Sequence, residues 1–151
     1  MSAFDLDDTN RHILLLLQDN ARLPFAEIGR QVGLTAPAVA ERVRRLEEEG
    51  IITGYHAAVN PDRLGLPLRA YITVTATDGR CDPIRRYALD QPTVTECYCI
   101  AGDRDILLKA SLESVAQLQT LVNDLLRFGK VSTSLVLETY LPRRALGGDE
   151  S

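Results

Sequence analysis

The chain has 151 residues, 45% of them hydrophobic and 25% charged, the balance of a folded globular protein with room for one medium domain or two small ones. No apolar run approaches the roughly 18 residues of a membrane span, and the acidic start, MSAFDLDDTN, argues against a secretory signal. Three cysteines, an odd number, argue against a disulfide scaffold and fit a reducing cytoplasm.

The first fifty residues predict three helices. Asp7 or Asp8 caps the first, whose Ile13, Leu14 and Leu17 face inward before Asn20-Ala21-Arg22 ends it. Pro24 opens the second, with Phe25, Ile28 and Val32 at helical spacing for burial. Gly33 tolerates positive φ at the bend, and Leu34 packs beneath it. Thr35 is a good N-cap for the third helix, and Pro37 sits in its first turn, where a missing N–H costs nothing. Val39, Val43 and Leu46 form its buried stripe, leaving Ala36, Ala38, Ala40, Glu41, Arg42, Arg44 and Arg45 outward. Gly50 terminates it.

A small-faced, arginine-bearing helix held by a partner helix is the geometry of a DNA major-groove reader. The competing reading is a helical hairpin with a solvated charged face. Glu41 lies four residues before Arg45 and Glu48 four after Arg44, the spacing for pairs within the helix. The β-prone run IITGYHAAV follows, then the turn signal Asn60-Pro61. Three helices followed by a short strand pair make a winged helix-turn-helix. The expected organisation is a DNA-binding domain over 1–62, a hinge over 63–67, a second domain over 68–141 and a mobile tail over 142–151.

The second domain alternates strands and helices. Leu68 to Thr77 alternates apolar Leu68, Ala70, Ile72 and Val74 with Arg69, Tyr71, Thr73 and Thr75, a half-buried strand. Asp82-Pro83 opens a short helix to about Leu89. Val94 to Ala101 and Ile106 to Leu112 are strands joined by Gly102-Asp103-Arg104-Asp105, a hairpin. Ser114 caps a longer helix with Val115, Leu118, Leu121, Val122 and Leu125 on one face, and Ser132 to Tyr140 is a last strand. The order β-α-β-β-α-β is that of the ferredoxin-like sandwich, so the fold class is α+β. Two helices cover one face of its sheet. The other face has no cover within the chain, and self-association is the cheapest way to supply one.

Net charge bears against a nucleic-acid partner. Residues 1–63 carry seven arginines, no lysine and ten acids, a net charge of −3, where DNA-binding domains are commonly basic. The acids gather at Asp5, Asp7, Asp8 and Glu47 to Glu49, away from the N-terminal half of the reading helix. A symmetric dimer also doubles whatever contacts one copy makes.

Helix-turn-helix and βαββαβ in this order resemble the Lrp/AsnC, or feast/famine, transcription regulators, whose C-terminal domain is ACT-like. The resemblance runs from about Leu6 to Tyr140. It is most specific over LPFAEIGRQVGLTAPAVAERVRRLEEEGIITGYHAAVNPDRLG, with further matches in CYCIAGDRDILLK and STSLVLE. It implies binding of double-stranded DNA as a dimer, often assembled into octamers, and sensing of an amino acid or related metabolite seated between dimers. Gly29 stands where the family usually has alanine, weakening its helix by roughly 1 kcal/mol or less.

The candidate DNA-binding residues are Thr35, Ala36, Pro37, Ala38, Glu41, Arg42, Arg44 and Arg45. The arginines suit phosphates or a guanine edge, and Pro37 and Ala38 suit thymine methyls. So few donors imply readout largely through DNA shape. By resemblance, the effector region comprises Gly102, Asp103 and Asp105, with Tyr98, Thr133 and Ser134 as secondary members. A carboxylate there would pair with an amino acid's ammonium; the competing reading is a charged turn whose aspartates cap their own backbone.

Cys97 and Cys99 share one face of a strand. With no histidine nearby in sequence they read as buried small hydrophobes, not a metal site. No phosphate-binding loop, dinucleotide fingerprint, HExxH or CxxC is present, so neither a cofactor nor an enzymatic activity is expected. Haem-pathway decarboxylases share the family's architecture but rely on C-terminal-domain histidines, and here no histidine follows His56. An architectural DNA-binding protein without an effector is the remaining alternative.

Overall fold

The computed structural model describes residues 6–77, 79–102, 106–141 and 143–147. Asp103, Arg104 and Asp105 lie outside the described residues. The chain divides into two compact units, one formed by Met1–Ala58 with Leu141–Ser151 and the other by Val59–Tyr140.

The first unit is three helices: α1 (Asp8–Asp19), α2 (Phe25–Val32) and α3 (Ala36–Glu48). α1 and α3 begin where a side chain caps their free N–H groups, whereas α2 follows Pro24 without a side-chain cap. The Asp7 carboxylate accepts from the N–H of Asn10 at 2.6 Å, and the Thr35 hydroxyl from that of Ala38 at 3.4 Å. Gly33, at φ 73°, turns the chain between α2 and α3. Ile13, Leu17, Ile28, Val39, Val43 and Leu46 form the core. Their burial contributes about 1.5–3 kcal/mol for each large aliphatic side chain.

Gly29 is not a mere weak point of α2. It is buried, and a Cβ there would overlap the Leu34 carbonyl oxygen, so its absence lets the turn close tightly on the helix. Among the described residues no strand lies between Ile51 and Val59, so the expected wing is not formed within the chain. The run has the right residues, but a strand requires a paired neighbour, and the unit offers none. The Tyr55 hydroxyl instead donates to Glu47 at 2.8 Å, tying the run to the end of α3. Burial and that carboxylate push the phenol up to about 12. The tail is also tied: Leu146 N–H donates to the Gln18 side chain, and Gln18 Nε2 to the Leu146 carbonyl, both at 2.9 Å.

The second unit starts with a 3-10 turn, Pro61–Leu64, capped by the Asn60 side chain. It continues through β1 (Leu68–Ala76), α4 (Asp82–Leu89), β2 (Val94–Cys99), β3 (Ile106–Leu112), α5 (Val115–Leu126) and β4 (Gly129–Leu135). The boundary thus falls ahead of the expected hinge. The strands form one antiparallel sheet in the order β2-β3-β1-β4, a ferredoxin-like arrangement. Ala70, Ile72, Val74, Ile106, Leu108, Ala110 and Leu112 pack against Ile84 and Ala88 of α4 and Leu118, Leu121 and Leu125 of α5.

Two expectations shift. Asp82 is the first residue of α4, not its cap, and its carboxylate instead pairs with Arg85 and Arg86, both at 2.8 Å. β4 begins at Gly129, earlier than Ser132, because Gly129 pairs with Ala76 where a Cβ would overlap the Thr75 carbonyl. It ends at Leu135. Among the described residues, no helix is long and apolar enough to cross a membrane.

Candidate nucleic-acid interface and effector region

α3 turns one stripe inward, Val39, Val43 and Leu46, and the opposite stripe outward: Pro37, Glu41, Arg44, Arg45 and Glu48 are exposed. The alanines expected to face largely outward, Ala36, Ala38 and Ala40, are half-buried. They flank the apolar stripe and do not oppose it. The outward face is therefore charged, with proline at its N-terminal end.

These charges are already paired. Glu41 accepts two bonds from Arg44, at 2.9 and 2.8 Å, and one from Arg45 at 3.0 Å. Glu48 takes the remaining arm of Arg44. Arg44 and Arg45 hold the Glu41 carboxyl down to about 2. Exposed pairs of this kind are weak because water and salt screen them, so phosphates can compete for the same guanidinium groups.

Arg42 faces elsewhere. Its Nη1 donates to Asp7 Oδ2 at 2.7 Å and to Asn10 Oδ1 at 2.9 Å, bracing α3 against the start of α1. Asn10 is 5% exposed, so this bond satisfies an amide oxygen that water hardly reaches. The same guanidinium, together with the Asn10 N–H, holds the Asp7 carboxyl below its ordinary range. Sequence reasoning missed this brace because Asp7 and Asn10 lie a whole helix pair away. The only cue was an aspartate at an N-cap, which explained itself.

On the sheet, strand alternation sorts the effector candidates. Tyr98 lies across from Leu107, Thr73 and Ser132, and Glu96 across from Lys109, Tyr71 and Ser134. All project from the face opposite α4 and α5. Thr133 pairs with Ile72 and so belongs to the helix side. Thr133 and Ser134, being consecutive, point to opposite faces and cannot serve one site together. Gly102 has φ 127°, a conformation that favours glycine.

The open face also carries an ion pair that sequence reasoning missed. Lys109 donates to Glu96 at 2.8 Å, and the Tyr98 hydroxyl donates to the other oxygen of Glu96 at 2.6 Å. Lys109 holds the Glu96 carboxyl below its usual range. Glu96 and Tyr98 are two apart, a readable cue, but Lys109 joins them only through the β2–β3 register.

Cys97 packs against the core, and burial raises its thiol pKa. Cys99, expected to be buried as well, is exposed near the end of the edge strand β2. Among the described residues no group of three or more His, Cys, Asp or Glu side chains is placed to hold a metal. A cleft of about 870 Å³ lies between α1, residues 51–58 and the tail at Arg143, Leu146 and Gly147, and it includes none of the expected site residues.

Residues 6–47 match the AsnC-type helix-turn-helix domain, and residues 69–146 match the Lrp/AsnC ligand binding domain. The proline dehydrogenase transcriptional activator of Rhodobacter capsulatus is 42% identical over 127 residues, 79% of each chain. Among solved structures, a transcriptional regulator from Neisseria meningitidis in complex with L-Met superposes with a TM-score of 0.87 at 28% identity, over 94% of this chain and 96% of that one. LrpC of Bacillus subtilis gives a TM-score of 0.86 at 29% identity, over 92% and 99%.

Proposed function

The chain belongs to the Lrp/AsnC family of transcription regulators, and from that premise we propose that it binds double-stranded DNA through the outer face of α3 as a homo-oligomer. An amino acid or related small metabolite, bound by the sheet unit, modulates that binding. The observation that carries the reading is the rigid mounting of α3. A side-chain cap, a positive-φ glycine turn and a buried stripe fix the helix, while Glu41, Arg44 and Arg45 face out.

The net charge of −3 over residues 1–63 makes one copy a weak binder, because counterion release scales with the cations brought to phosphates. Assembly through the uncovered sheet face multiplies the contacts, with a dimer as the minimal unit and an octamer as the larger one. Arg44 turns the arm now on Glu48 to a phosphate, and Arg45 the N–H groups beyond its bond to Glu41, so that both stay on Glu41. Thr35, Ala36, Pro37 and Ala38 approach the bases by shape, and Arg42 acts from behind by holding α3 to α1. For the effector, Gly102, Tyr98 and Ser134 support a site at the hairpin and open face; Asp103 and Asp105 remain part of this proposal. The ligand regulates by binding one assembly better than another, which linkage requires. The setting is the cytoplasm, where free cysteines stay reduced and DNA is accessible. This reading assigns the chain no chemical step.

Mobility-shift titrations over a range of salt, with and without each amino acid, test the reading. Specific retardation that changes with one of them supports it, and Arg44→Ala should flatten the salt dependence by about one ion per copy. Unchanged affinity in an Arg44→Ala, Arg45→Ala double variant would overturn the interface. A second reading, architectural binding without an effector, is favoured by the scarcity of hydrogen-bonding side chains at the start of α3. Footprints independent of sequence and of amino acids would select it.

A further inference from the structure

The first six residues of α3, Ala-Pro-Ala-Val-Ala-Glu, contain one side chain able to hydrogen-bond, and it is Glu41. Thr35 ahead of them has its hydroxyl engaged at the cap. In helix-turn-helix docking the N-terminal residues of the second helix meet the base edges. Glu41 is exposed on the same outward stripe as Pro37, one helical turn on. If any side chain of that stretch reads a base through hydrogen bonds, it is this one.

A carboxylate is an acceptor only. In the major groove, guanine N7 and O6 and thymine O4 are acceptors that repel it; the donors are the amino groups of cytosine and adenine. Adenine sets its amino group beside the N7 acceptor, whereas cytosine's N4 amino group has only a C–H for a neighbour on that edge. An acid so close to phosphates needs compensation, and here it is built in: Arg44 holds Glu41 through two bonds and Arg45 through one. Those guanidinium groups keep it ionised, and hence an acceptor, down to a pH of about 2.

We infer that Glu41 is the specificity-determining residue of α3, accepting from a cytosine N4 amino group and opposing every register that places a guanine or thymine edge before it. The inference rests on the DNA-binding reading above. It gives Arg44 and Arg45 a second task beside phosphate contact, that of making an acid tolerable in the groove.

The test is selection from randomised duplex DNA by the full-length protein, by Glu41→Gln and by Glu41→Ala, each then titrated with salt on random-sequence DNA. The natural protein should enrich a C·G pair at one position in each half-site. Glu41→Gln should turn that position toward A·T, since glutamine matches adenine N6 and N7. Glu41→Ala should lose the preference there alone, a discrimination of about tenfold, while binding random DNA more tightly and with a steeper salt dependence. An unchanged motif from both variants, or binding without any motif by the natural protein, overturns the inference and leaves DNA binding intact. No DNA binding by the natural protein defeats the underlying reading instead. Glu41 is exposed, so the near-isosteric glutamine variant should fold, and circular dichroism is the check.

Discussion

In the helical unit, the outward-facing groups are close neighbours in the chain. Glu41, Arg44, Arg45 and Glu48 occupy about two turns of α3 and neutralise one another. In the sheet unit, Glu96 and Tyr98 meet Lys109 only because β2 and β3 pair. The first surface depends on one helix staying mounted, the second on strand register. The cores differ in the same sense. Among the described residues, six buried side chains hold the three helices and twelve hold the sheet to its two helices. One lost contact should therefore weigh more heavily on the helical unit.

The largest expected effect breaks that comparison at its weaker side. Ile28 is 0% exposed, and Ile28→Ala should cost about 2–5 kcal/mol, enough to unfold a small helical unit under mild denaturant. Urea titration followed by the far-ultraviolet helical signal measures it. A loss below about 1 kcal/mol would mean that the helices do not depend on this core. Next is Gly129→Ala, which pushes a methyl group into the Thr75 carbonyl at the β1–β4 edge. A cost of about 1–3 kcal/mol is expected, read as earlier exchange of β4 amide hydrogens. Unchanged protection would show that the register tolerates a side chain there.

Arg42→Ala sharpens the distinction between a brace and a reader. The pair with Asp7 is half open to water, so its loss should lower stability by about 1 kcal/mol, mainly by freeing α1 from α3. Loss of DNA binding with the melting temperature unmoved would instead make Arg42 a direct contact. The pH dependence follows from Asp7, whose carboxyl is held below the ordinary aspartate value of 3.8. Its contribution is complete above that value and fades as the pH falls through the lower, folded one. An Asp7→Asn variant should lack this acid sensitivity. Smallest is a chemical contrast between neighbours: alkylation followed by mass spectrometry should modify exposed Cys99 before Cys97, which the core shields. Equal rates would mean that the edge of the sheet opens freely.

Most of the helical unit was legible in the chain because its determinants are local. Asp7, Thr35, Pro37, Gly33 and Gly50 act within a turn of where they stand, and the buried stripe repeats at the helical period. The sheet's strands and their order were also legible through period-two alternation and the Gly102 hairpin. Register was not. It separated Thr133 from Ser134, joined Lys109 to Glu96 and started β4 at Gly129, and each outcome depends on a partner strand distant in sequence. The wing shows the converse: β propensity in IITGYHAAV could not make a strand without a neighbour.

The two-unit plan, the helix ends and the inward stripes follow from local chemistry, since backbone sterics, capping and hydrophobic periodicity operate over a few residues. Which polar groups are engaged and which are presented is set by the folded arrangement alone. It turned Arg42 inward to Asp7 and Asn10, half-buried the alanines of α3, and left Glu41 at the centre of the outward face. A side chain's partner depends on what folding brings within about 3 Å of it, and no local pattern encodes that for residues a helix pair or a strand apart.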